Sequence, residues 1–252
     1  MNDDYSTKTT LKCKKNAGPV AVTIETDRGE GGALSSKIGT KFSYAKFNVD
    51  KAQATANGGQ VLETSIKAAP GVKLSFKSKG SQLGVDYTKG NFYGTGVIDV
   101  EKMSKLSTSA CMSLPSGMIA GGDATYSLDG KSSLTALNVG ASYTKGNLFA
   151  SVTSADKFKQ VNLGLLYKVN SDLTLASSTS HSGEKVCEVG GVGGAYTAPF
   201  GIVKAKYSVV GGSGLLSASL KKDIAPKVTL TASGSVNASD FSNFKYGLGI
   251  TM

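Results

Sequence analysis

The chain has no tryptophan, one histidine, one arginine, five prolines and three cysteines in 252 residues. Each scarcity closes off a class of protein. The single histidine, in the polar stretch Ser180-His181-Ser182-Gly183, supplies no Ser-His-Asp constellation and reads as a solvated turn residue. Cys13, Cys111 and Cys187 are odd in number and far apart, so they make neither a metal-binding spacing nor a disulfide framework and read as reduced thiols. With Arg28 the only arginine, the chain lacks the guanidinium forks that read bases and phosphates, which weighs against nucleic acid. No run approaches the ~18 apolar residues of a transmembrane helix. Residues 1 to 15 hold no apolar core of a secretory signal and no arginine-rich, acid-poor transit peptide.

What the chain has instead is a two-residue period. Val72, Leu74 and Phe76 share one face of an extended segment while Lys73, Ser75, Lys77 and Lys79 share the other. The same alternation sets Leu62, Thr64, Ile66 and Ala68 against Val61, Glu63, Ser65 and Lys67, and sets Val161, Leu163, Leu165, Tyr167 and Val169 against Asn162, Gly164, Leu166 and Lys168. Toward the end Val203, Ala205, Tyr207 and Val209 oppose Lys204, Lys206 and Ser208, and Val228, Leu230 and Ala232 oppose Lys227, Thr229, Thr231 and Ser233. The last eight residues place Tyr246, Leu248, Ile250 and Met252 opposite Lys245, Gly247, Gly249 and Thr251. A terminal strand with one fully apolar face is a sticky edge in water, but in a closed barrel that face meets lipid and the edge is paired. A barrel strand spans with about 10 residues, alternate ones apolar, so a mean hydropathy of -0.07 is no objection.

Turn signals punctuate the segments: Asp27 to Gly32, Ala56-Asn57-Gly58-Gly59, Lys89-Gly90-Asn91, Leu128-Asp129-Gly130-Lys131 and Asn170-Ser171-Asp172. The pentapeptide Tyr-Thr-Lys-Gly-Asn occurs at Tyr87–Asn91 and again at Tyr143–Asn147, as repeated hairpins would require. About nineteen strands of roughly 7 to 13 residues can be placed, with no helix, giving one up-and-down transmembrane β-barrel over residues 1–252.

Motifs for other chemistry are poor. Gly130-Lys131-Ser132 ends like a phosphate loop, but Thr125 stands where the first glycine is required and no strand-to-helix switch surrounds it. The cluster Gly190-Gly191-Val192-Gly193-Gly194 has no following helix, so a packed strand or bend is the better reading than a dinucleotide site. No catalytic set, metal site or cofactor is expected. A basic stripe interleaved with Tyr87, Phe92 and Tyr93 leaves single-stranded nucleic acid as a minor reading.

The C-terminal half resembles the mitochondrial voltage-dependent anion channel family. Phe200-Gly-Ile-Val-Lys-Ala-Lys-Tyr207, a Gly-Gly-Ser-Gly turn, Leu215-Leu-Ser-Ala-Ser-Leu220 and Ala225-Pro-Lys-Val-Thr-Leu-Thr-Ala232 follow the family's last strands in order and spacing. Lys245, Gly247, Ile250 and Met252 occupy the places of its terminal import signal. Pro70-Gly71-Val72-Lys73-Leu74 is similar to its Gly-Leu-Lys motif, and Asp3-Asp4-Tyr5 to the start of its first strand. The resemblance spans nearly the whole chain and is diffuse in the middle. The family is itself a nineteen-stranded exception among barrels, so the strand count is not independent of it.

The resemblance implies a voltage-dependent, anion-selective channel of the mitochondrial outer membrane, with nucleotide contact at Gly71, Val72 and Lys73 and docking of cytosolic kinases. Family members carry an amphipathic helix inside the pore; here strand signals begin almost at Met1, so either the sequence starts at an internal Met or that helix is missing, and without it voltage gating is not expected. Strand parity puts Lys73, Lys77, Lys168, Lys204, Lys206, Lys227 and Lys245 on the polar face, and with 28 basic against 18 acidic residues the lumen is expected to favour anions. Lipid, chloride, ATP, ADP and phosphate are the expected partners, a homo-oligomer a further one. In any β protein, lysine on a strand is also a solvated charge that blocks edge pairing. Two rivals stand beside this reading: a protein-import pore of the same membrane, whose lumen should be acidic, and a soluble β-sandwich acting as a binding module.

Overall fold

The computed structural model describes residues 5–29, 32–130, 133–183, 185–210 and 212–252. Asp3 and Asp4, Glu30 and Gly31, Lys131 and Ser132, and Gly211, which belong to the motifs and turns named from the sequence, lie outside the described residues, as does the Cys187 side chain. The strands are β1 (Thr9–Ala17), β2 (Val20–Arg28), β3 (Leu34–Tyr44), β4 (Phe47–Thr55), β5 (Gln60–Ala69), β6 (Val72–Lys77), β7 (Gln82–Lys89), β8 (Phe92–Asp99), β9 (Lys105–Ser113) and β10 (Met118–Ser127). They continue as β11 (Ser133–Lys145), β12 (Leu148–Ala155), β13 (Gln160–Lys168), β14 (Leu173–Ser182), β15 (Lys185–Ala198), β16 (Gly201–Val210), β17 (Ser213–Ala225), β18 (Val228–Asn237) and β19 (Asp240–Thr251). No helix occurs among the described residues.

Every strand pairs with its sequence neighbours in one sheet, and β1 pairs with β19, so the sheet closes. A single closed sheet has no second layer, which rules out the β-sandwich. All consecutive pairs are antiparallel, so odd-numbered strands run one way and even-numbered strands the other. Closing nineteen strands therefore brings together two that run the same way. The seam is accordingly parallel, with Thr10 beside Gly249, Leu11 beside Ile250 and Lys12 beside Thr251. Two backbone bonds extend it, Lys14 N to Met252 O at 2.7 Å and Met252 N to Lys12 O at 2.8 Å.

The two rims differ. Turns from odd to even strands lie at one end and carry all five prolines: Pro19, Pro70, Pro115, Pro199 and Pro226. Proline has no N–H for a ladder, so a barrel without edges confines it to turns. The repeated pentapeptide forms two of the turns at this end. Lys89 pairs with Phe92 and Lys145 with Leu148, leaving Gly90-Asn91 and Gly146-Asn147 as two-residue loops. Gly90 and Gly146 hold φ of 56° and 55° at the first loop position, which suits the twist of a hairpin. Longer connections, such as Ala56 to Gly59 and Val100 to Ser104, gather at the opposite end, called here the loop rim.

Three sequence readings are corrected by this register. His181 lies not in a turn but in β14, bonded Nε2 to Thr179 Oγ1 at 2.9 Å. Lys227 is not on a strand face; it occupies the β17–β18 turn with a φ of 67°, because Pro226 ends the ladder beside it. β6 stops at Lys77, which leaves Lys79 in a turn.

Candidate pore and its inward face

Residues that pair across strands point to the same side, so the register sorts the barrel into two faces. One carries the exposed apolar side chains, among them Leu11, Ile24, Leu74, Leu163, Leu216 and Leu248. Exposed aromatic residues gather toward both rims: at the proline-bearing one Tyr87 and Phe92 lie 6.2 Å apart and Tyr44, Tyr167, Tyr196 and Phe200 are exposed, and at the other Tyr126, Phe158 and Phe244 are exposed. Such belts mark the boundary of a hydrocarbon layer. The other face points inward and is polar.

The inward charges divide into three sectors. From β16 through β19 to β1 the inward residues include Lys204, Lys206, Lys221, Lys245, Lys12 and Lys14. Carboxylates here sit at the ends: Asp223 accepts from Thr229 Oγ1 at 2.6 Å, and Asp240 accepts from Ser242 Oγ at 2.6 Å. Residues 5 to 8 cross this wall on the inside. Ser233 Oγ donates to Ser6 O at 2.5 Å, and Lys206 Nζ lies 4.7 Å from the centre of the Tyr5 ring. Gly247 makes the crossing possible, because a Cβ there would collide with the Ser6 carbonyl. Beside the crossing, Lys8, Lys14 and Lys221 join Thr231, Ser233 and Thr251 around a recess of about 330 Å³. Among the described residues no carboxylate lies within 4.0 Å of Lys8, Lys14 or Lys221.

From β2 to β7 lysines and carboxylates interleave. Glu25 accepts from Lys12 at 2.7 Å and from Lys37 at 2.5 Å, and Lys37 reaches Asp27 at 3.8 Å. Thr10 Oγ1 donates to Asp27 at 2.8 Å. Lys73 is 3.6 Å from Asp50 and sits opposite Asp86, while Lys77 sits opposite Glu63.

From β9 to β14 the inward face is nearly uncharged. Ser109, Asn138, Thr153, Asn162 and Ser178 line it, and its one mid-strand carboxylate, Asp123, accepts from Asn138 Nδ2 at 2.9 Å. Cys111 faces inward here, whereas Cys13 faces outward. Lys168 stands at the end of β13, opposite Thr174.

The sequence-predicted residues thus take different places. Lys73, Lys77, Lys204, Lys206 and Lys245 face inward, Lys168 marks a strand end, and Lys227 is in a turn. Gly71 is in the β5–β6 turn at a φ of 77°, and Val72 points outward. Lys245 and Gly247 face inward, whereas Ile250 and Met252 fall on the outward parity. Sequence reasoning missed Lys12, Lys14, Lys37 and Lys221, although Thr10-Leu11-Lys12-Cys13-Lys14 carries the same alternation. Among the described residues no group of three His, Cys, Asp or Glu is placed to hold a metal ion.

A sequence model of the eukaryotic porin family matches residues 1–249. The chain belongs to the eukaryotic porins. It is a pore-forming β-barrel of an outer membrane. No curated protein sequence matches the chain directly. Among solved structures, one mutant porin of Rhodopseudomonas blastica superposes with a TM-score of 0.54 at 11% identity, covering 95% of this chain and 94% of that one. A triple mutant of that porin gives 0.51 at 11% identity over the same shares. The outer membrane protein OmpT of Vibrio cholerae with one loop deleted gives 0.45 at 12% identity, covering 96% of this chain and 94% of that one. At these identities the likeness to the R. blastica porin is one of fold.

Proposed function

We propose that this eukaryotic porin is a voltage-dependent, anion-selective channel of the mitochondrial outer membrane. Chloride and hydrophilic anions such as ATP, ADP and phosphate diffuse through it down their gradients. The observation that carries the reading is the basic wall from β16 to β1, where Lys8, Lys14 and Lys221 surround a hydroxyl-lined recess with no carboxylate in ion-pair reach among the described residues. Preference stays modest, because ions in a wide lumen keep their water and feel each lysine only within about 8 Å at physiological salt. Lys204, Lys206 and Lys245 add to the wall's field; Lys73 and Lys77, set among carboxylates, contribute less than their charge suggests.

The Gly71-Val72-Lys73 motif is the proposed nucleotide contact, at the rim where β6 begins, and Lys245, Gly247, Ile250 and Met252 the proposed import signal. Homo-oligomers and docking of cytosolic kinases are proposed on the resemblance alone. An import pore for basic presequences would reverse the charge of this wall. The test is the reversal potential of single channels of the full chain in a planar bilayer under a KCl gradient, with voltage scanned in both directions. Anion preference with conductance falling at high voltage of either sign supports the reading, and cation preference overturns it in favour of the import pore.

A further inference from the structure

Among the described residues, the β12–β13 turn has a backbone unlike the other connections. Asp156, Lys157 and Phe158 hold φ of 48°, 56° and 69° in succession, a left-handed run that side-chain sterics disfavour at every non-glycine position. The run is pinned on both sides: Lys157 N donates to Leu137 O at 3.1 Å, and Gly183 N donates to Lys159 O at 3.2 Å. Its effect is to hold Phe158, 60% exposed, at the loop rim between two exposed lysines. The turn's carboxylate, Asp156, is 4.0 Å from Lys159. The bond to Gly183 sets the end of β14 beside this turn. There His181 pairs with Val161 and so points outward, at the penultimate position of its strand, with Thr179 bonded to it one step deeper. An imidazole and a hydroxyl on the lipid-facing side of a barrel, at headgroup depth, stand out against an apolar surface.

We propose that the β12–β13 turn and the end of β14 form a seat for the headgroup phosphate of an anionic phospholipid. Lys157 and Lys159 supply the cationic charge, Thr179 and His181 supply polar groups at the depth of the glycerol and phosphate, and Phe158 enters the interfacial layer beside the acyl chains. Charge complementarity selects the occupant: among the described residues of the turn, two ammonium groups against one carboxylate favour an anionic headgroup over a zwitterionic one. The seat rests on the reading that the outward face meets lipid.

The test is native mass spectrometry of the full chain released from micelles containing phosphatidylglycerol or phosphatidylcholine, with conductance measured on the same samples. The double change Lys157→Gln and Lys159→Gln is compared with Lys89→Gln and Lys145→Gln, which removes equal charge at the other rim. The seat predicts that phosphatidylglycerol is retained over phosphatidylcholine, that its retention falls about 25-fold in the first variant, and that the second variant falls far less. Equal losses in both variants, no loss in the first, or displacement by inorganic phosphate at equal concentration overturns the seat while intact conductance leaves the channel reading standing. If the first variant forms no conducting barrel, Phe158→Ser supplies the comparison: about fivefold weaker retention supports the seat and unchanged retention overturns it.

Discussion

The wall from β16 round to β1 and the wall from β9 to β14 are built from the same two-residue period, the same glycine-rich strands and the same backbone ladder, yet they face the lumen with different chemistry. The first presents lysines along its length with its carboxylates at the ends; the second presents serine, threonine and asparagine. Between them, β2 to β7 carry comparable numbers of both signs, locked in pairs such as Lys37 with Glu25 and Lys73 with Asp50. A hydrated anion therefore meets an asymmetric tube. Net charge of +10 says that anions are favoured on average; where the carboxylates lie says which lysines do the favouring.

The comparison depends first on which face is inward, and the largest expected effect comes from breaking that assignment. Leu248, 46% exposed on the outward face of β19, lies on the terminal strand with its neighbours on both sides paired. Leu248→Lys is expected to cost about 2 to 4 kcal/mol in folding into lipid vesicles, measured by denaturant titration, with insertion impaired. A cost near zero would mean that this face does not contact hydrocarbon.

A smaller but direct effect is expected from the segment that crosses the basic wall. Gly247→Val introduces a side chain where the Ser6 carbonyl already lies, so residues 5 to 8 must leave the wall. Conductance should change while the strand content by circular dichroism stays the same; unchanged conductance would mean that the segment does not occupy the ion path.

Transplanting charge sharpens the comparison further. Thr153→Lys with Ser178→Lys gives the neutral wall two lysines without facing carboxylates, and anion preference should rise in reversal-potential measurements. The smallest effect is expected in the paired sector: Glu25→Gln leaves Lys12 and Lys37 without their shared partner, raising anion preference slightly and changing stability by no more than about 1 kcal/mol, because both lysines are one-third exposed to a wet lumen. A large loss of stability would show that the cluster acts as a structural clamp.

Much of the barrel was legible in the sequence. Alternation is set by strand geometry, so it survives in the residues themselves, and the repeated Tyr-Thr-Lys-Gly-Asn marked two hairpins directly. That Lys204 and Lys206 share a face followed from parity alone. What parity could not supply was the neighbour on the next strand. Lys73 looked like an anion-attracting lysine until the register set it opposite Asp86 and within reach of Asp50. Lys227 was misplaced because Pro226 ends the ladder one residue earlier than the alternation suggests. His181 was misread because its flanking serines and glycine look like a turn, whereas the strand runs through them to Ser182. The crossing of residues 5 to 8 left one trace in the sequence, the glycine at position 247, but a strand glycine equally fits a bulge or close packing against the next strand.

The most direct test of the central claim is the reversal potential under a KCl gradient of Lys8→Glu/Lys14→Glu/Lys221→Glu, compared in the same bilayers with Lys73→Glu/Lys77→Glu and the unaltered chain. The account predicts that the first variant loses anion preference or turns to cations while the second shifts much less per charge reversed. Equal shifts per charge would contradict it, because the lumen would then respond to its total charge and not to the recess formed by Lys8, Lys14 and Lys221.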